Sequence, residues 1–181
     1  MLKKPLRHSA PKKLNYRERY GLKVGLRGYQ RRAAALAIEK LQMAFFMAPR
    51  LGKTRVCLAV CGYWHLQKEA DRVVVVCPSI AKDVWETEIG VSLDFPTTVR
   101  VVQGKADERK LILKDKDDKG LTFLVINFEA TWRLKKFLYK WNPDIIIVDE
   151  SHRIAGHATK QSRTLHTLGT RAKYRMIATG T

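Results

Sequence analysis

Two clusters in this sequence carry the residue types that phosphate chemistry needs: Gly52-Lys53-Thr54 and Asp149-Glu150. The triplet follows a short apolar run, Met43-Ala44-Phe45-Phe46-Met47, and opens a segment with helical character from Lys53 to about Leu66. In that setting Gly52 lets the backbone approach a phosphate, and the free amides at the helix start point at the anion. Lys53 adds positive charge, and the Thr54 hydroxyl is a ligand for magnesium. Two residues depart from the general phosphate-loop pattern: Met47 stands where that pattern has Gly, and Arg50 where a small residue fits more easily. A guanidinium beside a triphosphate could add a contact of its own. Taken alone, the triplet also fits an ordinary strand-to-helix turn with Lys53 in solvent.

The acidic pair ends another apolar run, Ile145-Ile146-Ile147-Val148, and continues into Ser151-His152. If the run is a parallel strand, the carboxylates emerge at its carboxyl end, where ligands of such sheets bind. Asp149 would hold magnesium, commonly through water, because a hard cation bridging phosphate oxygens prefers oxygen ligands. Glu150, turned to the other side of the strand, would orient an attacking water and take its proton. Together the clusters describe hydrolysis of a magnesium-bound nucleoside triphosphate.

Positioning these residues requires a sheet. Short apolar runs recur at 73–77, 99–102, 122–126, 145–148 and 175–178, separated by longer polar or amphipathic stretches. Runs such as Val73-Val74-Val75-Val76 have no polar face, as expected of central strands covered on both sides. The fold class that follows is α/β, a mostly parallel central sheet with helices on both faces. Tyr29, Ala33, Leu36, Ala37 and Leu41 recur at helical spacing and put a helix before the first strand. Residues 1–25, basic and with Pro5 and Pro11, read as a partly flexible arm, and residues 26–181 as one lobe. Trp85, Trp132 and Trp141 read as packing residues, and Cys57, Cys61 and Cys77 as reduced, buried thiols.

The 181 residues carry 35 Lys and Arg against 17 Asp and Glu, a net charge of +18. That imbalance attracts polyanions, nucleic acid first among them. Basic residues crowd both ends of the sequence, and after Glu150 there is no acid at all. No stretch approaches the roughly 18 apolar residues that span a bilayer, so no membrane partner is expected.

In linear order, residues 26–181 resemble the first RecA-like lobe of superfamily-two helicases, and within them the Swi/Snf-related DNA translocases, including those of phages and bacteria. Leu26-Arg27-Gly28-Tyr29-Gln30 is similar to the adenine-reading Q motif, with Gly28 where Pro is usual. Gly52-Lys53-Thr54 matches motif I, and Asp149-Glu150-Ser151-His152-Arg153-Ile154 is close to motif II of the Swi/Snf branch. Val74-Val75-Val76-Cys77-Pro78-Ser79, with Trp85 and Glu88 following, looks like motif Ia, and Arg175 to Thr181 like motif III.

The resemblance implies a RecA-like phosphate-loop ATPase lobe using ATP and Mg2+. Lys53, Asp149 and Glu150 would be catalytic, and Arg27, Gln30, Arg50, Leu51, Gly52, Lys53 and Thr54 would contact nucleotide. Thr54 and Asp149 would hold the metal, while His152, Thr179 and Thr181 would couple nucleotide state to nucleic-acid contacts. Pro78, Ser79, Gly104 and Asn127 would touch nucleic acid, with double-stranded DNA as the leading partner. It further implies a second RecA-like lobe carrying an arginine finger, after Thr181 or on another polypeptide. Without that lobe the 181 residues are expected to bind ATP weakly and hydrolyse it very slowly. The cellular setting would be bacterial cytoplasm or a phage-infected cell, or a nucleus if the source is eukaryotic. A different class, a basic nucleic-acid-binding module with a vestigial phosphate loop, fits the charge equally well. A small metabolite kinase fits neither the charge nor the Asp-Glu-Ser-His element.

Overall fold

A computed structural model describes residues 15–104, 118–154, 156 and 159–180, apart from the side chain of Arg17. Helix α1 is Tyr16–Tyr20, α2 Gly28–Lys40, and strand β1 Gln42–Phe46. Helix α3, Lys53–Leu66, leads to β2, Arg72–Cys77, and a single 3-10 turn over Ser79–Ala81 leads into α4, Lys82–Ser92. Strands β3, Thr97–Val101, and β4, Leu121–Asn127, follow. Then come α5, Phe128–Arg133, α6, Lys135–Trp141, and β5, Ile145–Asp149. A second 3-10 turn, Ser151–Ile154, precedes α7, Lys160–Arg171, and β6, Tyr174–Thr179.

The six strands form one sheet in the order β1-β6-β5-β2-β4-β3, with every neighbouring pair parallel. Alternation along each strand divides the core. Val73, Val75, Cys77, Ile145 and Ile147 pack with α2, α3 and α4 on one face, while Val74, Val76, Ile146 and Val148 pack with α5, α6 and α7 on the other. The β-branched runs are thus buried on both sides, which is why they show no polar period. Among the described residues no helix is long and apolar enough to cross a membrane.

The lobe begins earlier than its charge pattern predicts. Tyr20 and Leu22, assigned from sequence to a basic arm, are 3% and 0% exposed. Leu22 also forms an antiparallel bridge with Leu93, and a side chain at Gly62 of α3 would strike the Tyr20 carbonyl. Basic residues around Tyr20 and Leu22 hide two core positions. The expected arm over residues 1–14 lies outside the described residues.

All three cysteines are free and buried. Burial, and after it the charge of Asp149, pushes the Cys77 thiol up to about 12. The same causes, in the same order, raise Cys57, while Cys61 is raised by burial and then by Cys57. Because the thiolate is the reactive form, none of the three should react with an aromatic disulfide reagent at pH 8 in the folded protein. All three should react on unfolding in denaturant, and a fast-reacting thiol in the native protein would contradict this packing.

Candidate nucleotide and nucleic-acid sites

Since every strand is parallel, all carboxyl ends lie on one rim, and the strand order decides what meets there. On one half, β1 delivers the phosphate loop, β6 ends at Thr179 and β5 ends at Asp149. Gly52 has φ +77 and is the N-cap of α3, which has no side-chain cap. The positive φ favours glycine, and a Cβ on Gly52 would lie 2.4 Å from Gln30 Nε2, so that side chain would have to shift. Arg50 also adopts a positive φ, 65°, unusual for a side-chain-bearing residue. The uncapped first turn leaves helix amides available to an anion.

Lys53 Nζ lies inside the loop and donates to the Met47 carbonyl at 2.9 Å and the Ala48 carbonyl at 3.4 Å. It also approaches β6, since a Cβ at Gly180 would be 3.6 Å from Nζ. The buried Cys57 thiol of α3 feels both charged groups: after burial, Asp149 raises its pKa, and Lys53 draws it down. The lysine loop and the acidic strand end therefore flank the first turns of one helix.

Asp149 is held at both oxygens. Trp85 Nε1 donates to Oδ2 at 3.0 Å, and the Glu150 backbone N–H donates to Oδ1 at 3.0 Å. Glu150 itself lies past the strand with φ +50. Its direction is set by this left-handed turn, not by the strand alternation assumed from sequence. Its carboxylate lies 3.3 Å from His152 Nδ1, and the same nitrogen is 3.3 Å from Thr179 Oγ1. His152 thus bridges the acidic element and the end of β6, and brings two of the residues expected to couple, His152 and Thr179, into contact. Thr181 lies outside the described residues.

A cavity of about 430 Å³ is lined by Arg27, Gln30, Arg50, Gly52, Thr54 and Glu88 among others. Five of the expected nucleotide contacts meet in it. A larger cavity of about 570 Å³, lined by Arg19, Arg31 and Arg32, contains none of them. Gln30 is 5% exposed, and its amide is engaged with the chain itself. Oε1 accepts from the Arg27 N–H at 2.9 Å and Nε2 donates to the Leu51 carbonyl at 3.0 Å. The Tyr29 hydroxyl donates to the same carbonyl at 3.1 Å. Gln30 therefore ties α2 to the phosphate loop; the amide keeps one further donor hydrogen and one further lone pair. Sequence reasoning misses the role of Tyr29, whose spacing signals only the apolar face of a helix.

Among the described residues no group of three or more His, Cys, Asp or Glu side chains could enclose a metal ion. The Thr54 hydroxyl and the Asp149 carboxylate instead fit a hard cation that keeps water and takes its remaining ligands from phosphate oxygens.

The other half of the rim gathers the expected nucleic-acid contacts. Ser79 follows β2, Asn127 ends β4 and Gly104, with φ +75, follows β3. Asn127 Nδ2 donates to Ser79 Oγ at 3.1 Å and to Glu129 Oε2 at 2.8 Å. Pro78 precedes the turn that carries Ser79. Trp85, read as packing alone, is buried as expected but also serves Asp149.

The chain is similar over 133 residues, at 29% identity, to a probable ATP-dependent DNA helicase, CHR23, of Arabidopsis thaliana; the match covers 72% of this chain and 12% of that protein. It is similar over 150 residues, at 28% identity, to the ISWI chromatin-remodeling complex ATPase ISW1 of Saccharomyces cerevisiae, covering 81% of this chain and 13% of that one. The chain thus spans about one eighth of the length of these relatives. The fold resembles the Sulfolobus solfataricus SWI2/SNF2 ATPase core, solved with double-stranded DNA, at a TM-score of 0.76 and 23% identity. That likeness covers 93% of this chain and 34% of that one. The SNF2-related domain matches residues 29–181, well over half the sequence, and the chain belongs to that family.

Proposed function

We propose that this chain is the ATP-binding lobe of a DNA-dependent ATPase of the helicase or translocase type, acting with magnesium and a second RecA-like lobe. The observation that carries the proposal is the division of one rim. The lysine loop, Asp149 and Glu150 occupy the β1-β6-β5 half, and Ser79, Asn127 and Gly104 the β2-β4-β3 half. The uncapped start of α3 and the Lys53 ammonium bind the triphosphate, Arg50 adds a second cation, and Arg27 and Gln30 flank the base. Thr54 and Asp149 would hold magnesium, which when bound neutralises charge on the phosphate oxygens. Glu150 orients the attacking water and accepts its proton, and His152 holds that carboxylate against Thr179. Charge that develops in the transition state would be met by an arginine from the second lobe. The net charge of +18 and the DNA-acting relatives support a duplex DNA partner.

Titration of a fluorescent ATP analogue tests the reading. Magnesium is expected to strengthen binding, and Lys53→Ala to weaken it about a hundredfold, about 2.7 kcal/mol, through loss of a charged phosphate contact. Failure to bind the analogue at millimolar concentration would instead support a passive basic module.

A further inference from the structure

We infer that Trp85 is a positioning residue for the metal-holding carboxylate, because its buried indole N–H donates to Asp149 Oδ2 across the gap between α4 and β5. The inference deepens the function proposed above and rests on it.

Trp85 is 1% exposed and lies in the first half of α4. Its neighbours Val84 and Glu88 line the cavity that holds Thr54 and Gly52, so this helix walls the nucleotide site. The indole reaches Asp149 at 3.0 Å, and the Glu150 amide holds the other oxygen at 3.0 Å. One donor from a helix and one from the backbone fix both rotation and tilt of the carboxylate. Each oxygen keeps a lone pair for a metal-bound water. An indole is well suited to the task. It donates only, so it orients the carboxylate and offers the metal no competing ligand. It is also rigid and locked by packing, so its donor does not wander.

Trp64 provides the contrast within the molecule. It is also buried, at 6% exposure, and it stacks on Tyr174 with ring centroids 4.1 Å apart. Yet its Nε1 has no hydrogen-bond partner among the described residues. Burial of a tryptophan in this core therefore does not require a donor contact, and the Trp85–Asp149 bond is a feature of the site. Groups that orient a metal-holding ligand change metal affinity by about 10- to 100-fold when removed.

Trp85→Phe keeps most of the ring and removes the donor. Binding of the fluorescent ATP analogue is measured with magnesium and with chelator, in the parent and in the variant. The variant is expected to bind about tenfold more weakly with magnesium, and within about twofold of the parent without it. Equal losses in both conditions would assign Trp85 to packing and overturn the inference, as would the absence of any magnesium-specific loss. A parent chain that binds the analogue equally well with and without magnesium would overturn the magnesium-nucleotide reading, and this inference with it. Should the Phe variant fail to fold, the parent decides. The Trp85 indole N–H resonance is expected to lie downfield, to move upfield in Asp149→Asn, and to shift on adding magnesium with the analogue. A resonance indifferent to both changes would overturn the inference.

Discussion

Replacing Glu150 by Gln is expected to slow ATP hydrolysis about a thousandfold while changing affinity for the magnesium-loaded analogue less than about threefold, since a positioned general base contributes roughly 10² to 10⁴ in rate. The amide keeps the shape of the side chain, but it no longer accepts a proton from the attacking water. Asp149 and its two donors are untouched by the change, so metal and nucleotide binding should survive. Glu150 sits in a left-handed turn beyond β5 and is steadied by His152, which favours a fixed role for its carboxylate over loose solvent contact. Phosphate release, measured in a preparation that turns ATP over, decides the matter. Unchanged turnover in the Gln variant would remove Glu150 from the chemistry, and a matching loss of affinity would reassign it to binding.

The second large effect concerns stability. Gly62→Ala would place a Cβ 2.0 Å from the Tyr20 carbonyl oxygen and 3.0 Å from its carbon. That backbone is fixed by the burial of Tyr20 and Leu22, so α1 and α3 must separate. Overpacking of this kind costs about 3 kcal/mol, which lowers the melting temperature by about 6–12 °C in a domain of this size. The control lies on α4, where a Cβ added to Gly90 would meet no atom within 4 Å. There the same substitution should stabilise by about 0.5–1 kcal/mol through helix propensity. Thermal unfolding of the two variants beside the parent measures both signs. A Gly62→Ala chain as stable as the parent would mean that residues 15–25 do not pack on α3 and are an arm after all.

Much of the site is legible in the sequence because its parts are local. Gly52, Lys53 and Thr54 are adjacent, and the change from apolar run to helical segment around them is visible without any contact. The same holds for Asp149-Glu150 after four aliphatic residues. The less legible parts depend on residues far apart in the chain. Trp85 looks like any core tryptophan until β5 is placed beside α4, and Gln30 shows its tie to Leu51 only once α2 lies against the loop. Tyr20 and Leu22 are obscured by the basic residues around them, whose charge dominates that segment.

Composition and local periodicity determined the α/β class, the positions of the six strands and the two residue clusters of the candidate site, since a β-branched run buried on both faces reads the same wherever its strand is placed. Tertiary structure alone decided that β6 lies between β1 and β5, and that β2, β4 and β3 form the other half of the rim. Strand pairing is a choice among non-local partners of similar apolar character. Only the simultaneous packing of both helical layers selects one order, and that order brings the lysine, the carboxylates and the indole to one place.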